Sequence, residues 1–165
     1  MSAVHISQEL AGFYQADQAD RQNIQQLTPD QLSEIAARDE QRRARVMEMV
    51  GRGQLQSAED YFHAAMVLQH GKEPEEYLLA HELATIAGFK DHKIGKWLSA
   101  ATLDRFLHSL GRPQQFATQY RREENGVWTL EPLDRSLPET IRAEDGVPPL
   151  AEQSKRVEGM NKPGD

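Results

Sequence analysis

Apolar positions recur at helical spacing along most of the chain, broken by charge in its first third and by proline in its last. Over residues 8–26, Leu10, Phe13, Tyr14 and Ile24, with Ala11 and Ala16 between them, outline a loosely amphipathic first helix. The run Asp17-Gln18-Ala19-Asp20-Arg21 marks its solvent side. Thr28-Pro29-Asp30 starts a second helix: a hydroxyl at the N-cap, proline at the first helical position, and an acid near the positive end of the dipole. That helix continues through Leu32, Ile35, Ala36, Val46, Met49 and Val50 and stops at Gly51 and Gly53. Between these apolar positions the run from Arg38 to Arg45 offers opposite charges at i,i+3 and i,i+4, the pattern of an exposed face, with Asp39 and Arg43 placed to reach a site from one side.

Ser57 caps a third helix, and Asp60 stands where the acid of a capping box belongs. This helix, Asp60-Tyr61-Phe62-His63-Ala64-Ala65-Met66-Val67-Leu68-Gln69-His70-Gly71, is apolar and alanine-rich yet carries several polar groups. His63 and His70 lie seven apart, about 20° short of two turns, and so share a face. Pro74 opens a fourth helix that ends at Gly88, with Tyr77 and His81 as i,i+4 neighbours. Over residues 93–110, Trp97, Leu98, Ala100, Ala101, Leu103, Phe106, Leu107 and Leu110 surround the axis, so this fifth helix is buried on all sides. Asp104 and Arg105 fall among those apolar groups. Burying either charge costs several kcal/mol without a partner. The expected partners are an imidazole of His63, His70 or His81 for Asp104, and Asp39, Asp20 or Asp60 for Arg105.

After Gly111-Arg112-Pro113 the periodicity changes. Gln115 to Tyr120 and Val127 to Leu130 read as two short strands around the Asn125-Gly126 turn, a hairpin over about 115–131 that needs the helices beneath it. Pro132, Pro138, Pro148, Pro149 and Pro163 then suggest an extended run with one short helix near 139–144 and a disordered end. The expected fold is mainly α: an antiparallel helix-hairpin array or bundle of about five helices with one small C-terminal β-hairpin. A single helical domain over 1–150 is followed by a flexible tail, 151–165.

A chain of 165 residues accommodates one domain with a sizeable core. A net charge of −7 with mixed signs argues against nucleic acid or an anionic membrane as partner. The absence of cysteine removes disulfides, thiolate nucleophiles and cysteine-based metal sites. No signal peptide and no run near ~18 apolar residues is visible, so a cytoplasmic location is expected.

The alanine-rich helices joined by short glycine-containing turns resemble, weakly, tetratricopeptide-like or Sel1-like helix pairs. A wider set of motifs is more specific: Asp60-Tyr61-Phe62-His63-Ala64-Ala65-Met66 with Gln69-His70-Gly71, Ala80-His81-Glu82-Leu83-Ala84, Trp97-Leu98 with Ala100 to Arg105, and Gln115-Phe116-Ala117-Thr118-Gln119. Together with Asp17 to Arg21 and Gly146 to Leu150, this resembles a bacterial family of short domains of unknown function, one that favours glycine where Ala117 stands. The resemblance implies a grouping and no activity.

The candidate site collects His63, His70, His81 and Asp104 as acid–base residues, with Gln69, Tyr77, Arg105, Gln115, Thr118 and Gln119 as binding residues. An imidazole oriented by Asp104 would move a proton near neutral pH, while Arg105 or a glutamine amide held an anionic or carbonyl oxygen. The histidine spacing matches no ligand motif such as His-Glu-x-x-His, and no Gly-rich phosphate loop or nucleophile elbow is present, so neither metal nor other cofactor is expected. The expected function is small-molecule binding or metal-independent acid–base catalysis in a pocket where the third, fourth and fifth helices meet the hairpin. The alternative is a helical-repeat-like module that binds a peptide or protein along a groove. Oligomeric state is left open.

Overall fold

In the computed structural model, which describes residues 3–162, seven α-helices and one two-stranded antiparallel sheet follow one another: α1 Ala3–Asp20, α2 Pro29–Gly51, α3 Ala58–Leu68, α4 Pro74–Phe89, α5 Gly95–Ser109, β1 Tyr120–Arg122, β2 Trp128–Leu130, α6 Glu139–Glu144 and α7 Leu150–Met160. The mainly helical fold with one small hairpin is the expected class. α3 is the central element, in contact with α1, α2, α4 and α5, and α5 packs mainly on α4.

The caps explain two of the helix starts. Thr28 accepts from the Gln31 backbone while the Gln31 side chain accepts from the Thr28 backbone, and Ser57 and Asp60 repeat that exchange at α3. The core then forms where the apolar faces meet. Ile6 and Leu10 of α1, Val46 and Met49 of α2, Phe62, Ala64, Ala65, Val67 and Leu68 of α3, Ala80, Leu83, Ala84 and Ala87 of α4, and Leu98 of α5 are all buried. A fully buried Leu or Phe there contributes roughly 1.5–3 kcal/mol. The alanines contribute closeness instead: α4 and α5 cross so tightly that a Cβ on Gly95 would stand 2.5 Å from the Gly88 nitrogen.

Four expectations are corrected. α1 runs from Ala3 and ends at Asp20, because Asn23 takes a left-handed φ of 59° and turns the chain. The charged runs face solvent only in part: Arg38, Glu40 and Gln41 are exposed, but Asp17, Asp39, Arg42 and Arg43 are buried. They are linked as Asp17–Arg21–Asp39–Arg42–Asp20–Arg38, with separations between 2.6 and 2.8 Å. Residues 115–119 form a loop and not a strand, for a reason that lies in Asp104. The expected tail is helical from Leu150 to Met160, because the hairpin supplies its partners: Tyr120 donates to Gln153, and Asn161 bonds both the N–H and the C=O of Trp128. Residues 163–165 lie outside the described residues. The short helix expected near 139–144 is α6.

Candidate functional site

The site begins with a carboxylate that turned out to serve a loop. Asp104, 0% exposed, accepts four hydrogen bonds from the segment that follows α5. Its Oδ1 takes the backbone N–H groups of Gln115 at 2.7 Å and Phe116 at 2.9 Å; its Oδ2 takes the N–H of Thr118 at 3.0 Å and the Thr118 hydroxyl at 2.7 Å. Those N–H groups are thereby removed from any β-ladder, and Ala117 is held at a φ of 62°. Gln114, almost fully buried, completes the mount: its amide donates to the carbonyls of Gln119 and Glu131, and its Oε1 accepts from the Gln119 N–H. The hairpin is thus fixed over α5, and Gln119, Tyr120 and Glu131 are set along one edge.

Opposite that edge stands Arg105. One residue along the helix turns the side chain by ~100°, so that Asp104 points into the loop and Arg105 toward α4 and Tyr77. The guanidinium is largely buried, and burial lowers its pKa. Its Nε is sealed from solvent with no partner, and among the described residues Arg105 makes neither a hydrogen bond nor an ion pair. The acids expected for it are engaged elsewhere: Asp20 and Asp39 hold Arg38, Arg42 and Arg21, and Asp60 caps α3.

Between these walls lies a cleft of about 390 Å³ lined by Lys72, Tyr77, Arg105, His108, Ser109, Gln119, Tyr120 and Glu131. This is within the size range of small-ligand sites. Tyr77 is held in place by donating to the Gly71 carbonyl at 2.6 Å, and Gln119 by donating to the Ala101 carbonyl at 3.2 Å. Of the expected binding residues, the cleft therefore gathers Tyr77, Arg105 and Gln119. Lys72, His108, Ser109, Tyr120 and Glu131 were missed. They sit on turns, on a helix end and on the hairpin, where helical periodicity carries no signal.

The remaining expected residues are dispersed. His63 stacks on Tyr14 at 4.8 Å, in a ring cluster with Phe62 and His92, and burial lowers its pKa. His70, its pKa lowered by burial against the opposing pull of Asp17, lies 3.5 Å from the Asp17 carboxylate. His81 Nδ1 stands 2.9 Å from the Ser99 carbonyl. The same nitrogen stands 3.1 Å from the Ser99 hydroxyl, so His81 is engaged with Ser99 of α5 and not with Asp104. Gln69 donates to the Met66 sulfur, while Gln115 and Thr118 serve the loop. Among the described residues no imidazole pairs with Asp104, whose expected partner is replaced by the loop donors of Gln115, Phe116 and Thr118. Among the described residues no three His, Asp or Glu side chains converge in a way that could hold a metal.

Comparison of the chain with protein-family models, with curated proteins and with solved structures gives no match, so the cleft is read from its own chemistry.

Proposed function

We propose that the protein binds a small anionic molecule, a carboxylate or an ester of phosphate, in the cleft between α5 and the hairpin. The observation that carries this reading is Arg105, a largely buried guanidinium that lines the cleft with its donors unused. A buried cation without a partner costs free energy in the empty state, and a bound anion recovers it through charge-assisted, two-pronged hydrogen bonds. Lys72, exposed and lining the same cleft, adds positive potential, and the rings of Tyr77 and Tyr120 supply apolar walls for the rest of the ligand.

Binding is favoured over acid–base catalysis because the four residues expected to share that chemistry stand in four separate surroundings. His108 is the cleft's own imidazole, and more than half of its side chain is exposed. The reading is tested by titrating the protein with acetate, succinate and inorganic phosphate while following backbone and side-chain amide resonances. Shifts should concentrate on Gln119, Tyr120 and the last turn of α5, and Arg105→Gln should weaken binding by about tenfold or more. Unchanged affinity in Arg105→Gln would sink the idea.

A further inference from the structure

Glu131 follows β2 and lines the same cleft as Arg105. Only 10% of its side chain is exposed, and among the described residues its carboxylate makes no hydrogen bond. Two basic side chains come near without closing on it: Arg121 Nη1 at 3.7 Å and His108 Nδ1 at 3.8 Å. Both are about half exposed or more, and Arg121 is already held by Glu123 at 2.8 Å. The cleft therefore contains a partly buried guanidinium and a buried carboxylate, each with hydrogen-bonding capacity left over. They do not pair with each other. The hairpin mount fixes the Glu131 backbone, since Gln114 takes its carbonyl and Asp104 holds the loop, while Arg105 is carried by α5.

From this arrangement we infer that the ligand is a small zwitterion, an amino acid in the broad sense, whose carboxylate sits on Arg105 and whose ammonium group sits on Glu131. The inference rests on the anion reading above and narrows it. A ligand with both charges satisfies both walls at once, whereas a simple anion leaves the Glu131 carboxylate buried and brings a like charge toward it. Like charges in a poorly hydrated cleft repel strongly, so the ammonium group becomes the means by which the site prefers amino acids to plain carboxylates and phosphate, which bind more weakly.

The test is calorimetric titration of the intact chain with a panel of free α-amino and ω-amino acids, their N-acetyl forms and the matching deamino carboxylates. The inference expects at least one free amino acid to bind, with its N-acetyl and deamino forms weaker by about tenfold or more. It also expects Glu131→Gln to bind the free and N-acetyl forms equally. That variant leaves the backbone carbonyl used by Gln114 in place, and its unfolding midpoint verifies that the hairpin is still mounted. If deamino carboxylates bind as tightly as amino acids, and Glu131→Gln changes nothing, the zwitterion is overturned while anion binding at Arg105 stands. If no member of the panel binds, the zwitterion is overturned and the anion reading is decided by the phosphate titration; if Arg105→Gln leaves every affinity unchanged, both readings fall.

Discussion

Asp104 shows how a single carboxylate decides a region. Four donors converge on it, three of them backbone N–H groups of a loop that has no ladder to join. Asp104→Asn replaces a charged acceptor by an amide whose NH₂ group faces those donors. We expect a loss of about 2–4 kcal/mol in urea unfolding, with proton exchange of the Gln115, Phe116 and Thr118 amides accelerated beyond that of the α3 core. A loss below about 1 kcal/mol would show that the loop is held by something else. Arg105 is the contrasting residue, partly buried, with its Nε sealed from solvent and without a partner. Arg105→Met keeps the hydrocarbon stem and removes the charge, so it should leave stability unchanged or raise it, up to ~2 kcal/mol, while abolishing anion binding.

Among the elements, the α4–α5 crossing carries the site. It depends on Gly88 and Gly95, where a Cβ on Gly95 would also meet the Gly88 Cα at 2.8 Å and the Ala87 carbonyl carbon at 2.9 Å. These are backbone atoms and cannot swing aside. Gly95→Ala should therefore cost about 1–3 kcal/mol in chemical denaturation despite alanine's better helix propensity. Because α5 bears Arg105 and α4 bears Tyr77, the same change should also weaken ligand binding. α7 acts on the cleft from outside: through Gln153 it fixes Tyr120, one of the cleft walls, and through Asn161 it fixes the edge of β2.

For the whole molecule, buried ionisable groups set the response to pH. His63, His70 and His92 are each held below the usual histidine pKa, with burial as the largest cause. The unfolded chain then binds protons that the folded chain refuses. Their contribution is complete above the unfolded value of about 6.5 and shrinks as pH falls below it, by up to about 1.4 kcal/mol per pH unit for each group. Asp20 and Asp39 act lower. Hydrogen bonds from Arg38 lead for Asp20, and those from Arg42 and Arg21 outweigh burial for Asp39, so both stay below the usual carboxylate range. Their contribution is present above about pH 4 and is lost as pH falls through their folded values. Urea midpoints measured from pH 8 to 3 should thus fall in two stages, and His70→Gln should flatten the upper one. A midpoint constant between pH 7.5 and 5.5 would contradict the burial of these imidazoles.

Local chemistry was enough to establish the helical class, the caps at Thr28 and Ser57 and the short α6, because each depends on neighbours within a turn or two, whereas α5, expected to be buried all round, leaves Lys96, His108, Ser109 and, just past its end, Leu110 exposed. The sequence also showed that Asp104 and Arg105 are buried charges that need an explanation. It could not show which partners they find, since partner choice depends on groups brought together from distant parts of the chain. Backbone N–H groups of residues 115–118 captured Asp104, and such donors leave no trace in side-chain spacing. Asp17, Asp39 and Arg42 read as a solvated face until the packing of α1 on α2 buried them together. The opposed charges of Arg105 and Glu131, 26 positions apart in the chain, share a cleft only because the hairpin folds back over α5. Periodicity determined which faces are apolar; the tertiary structure alone decided which polar groups meet, because that is set by how the elements pack and not by their order.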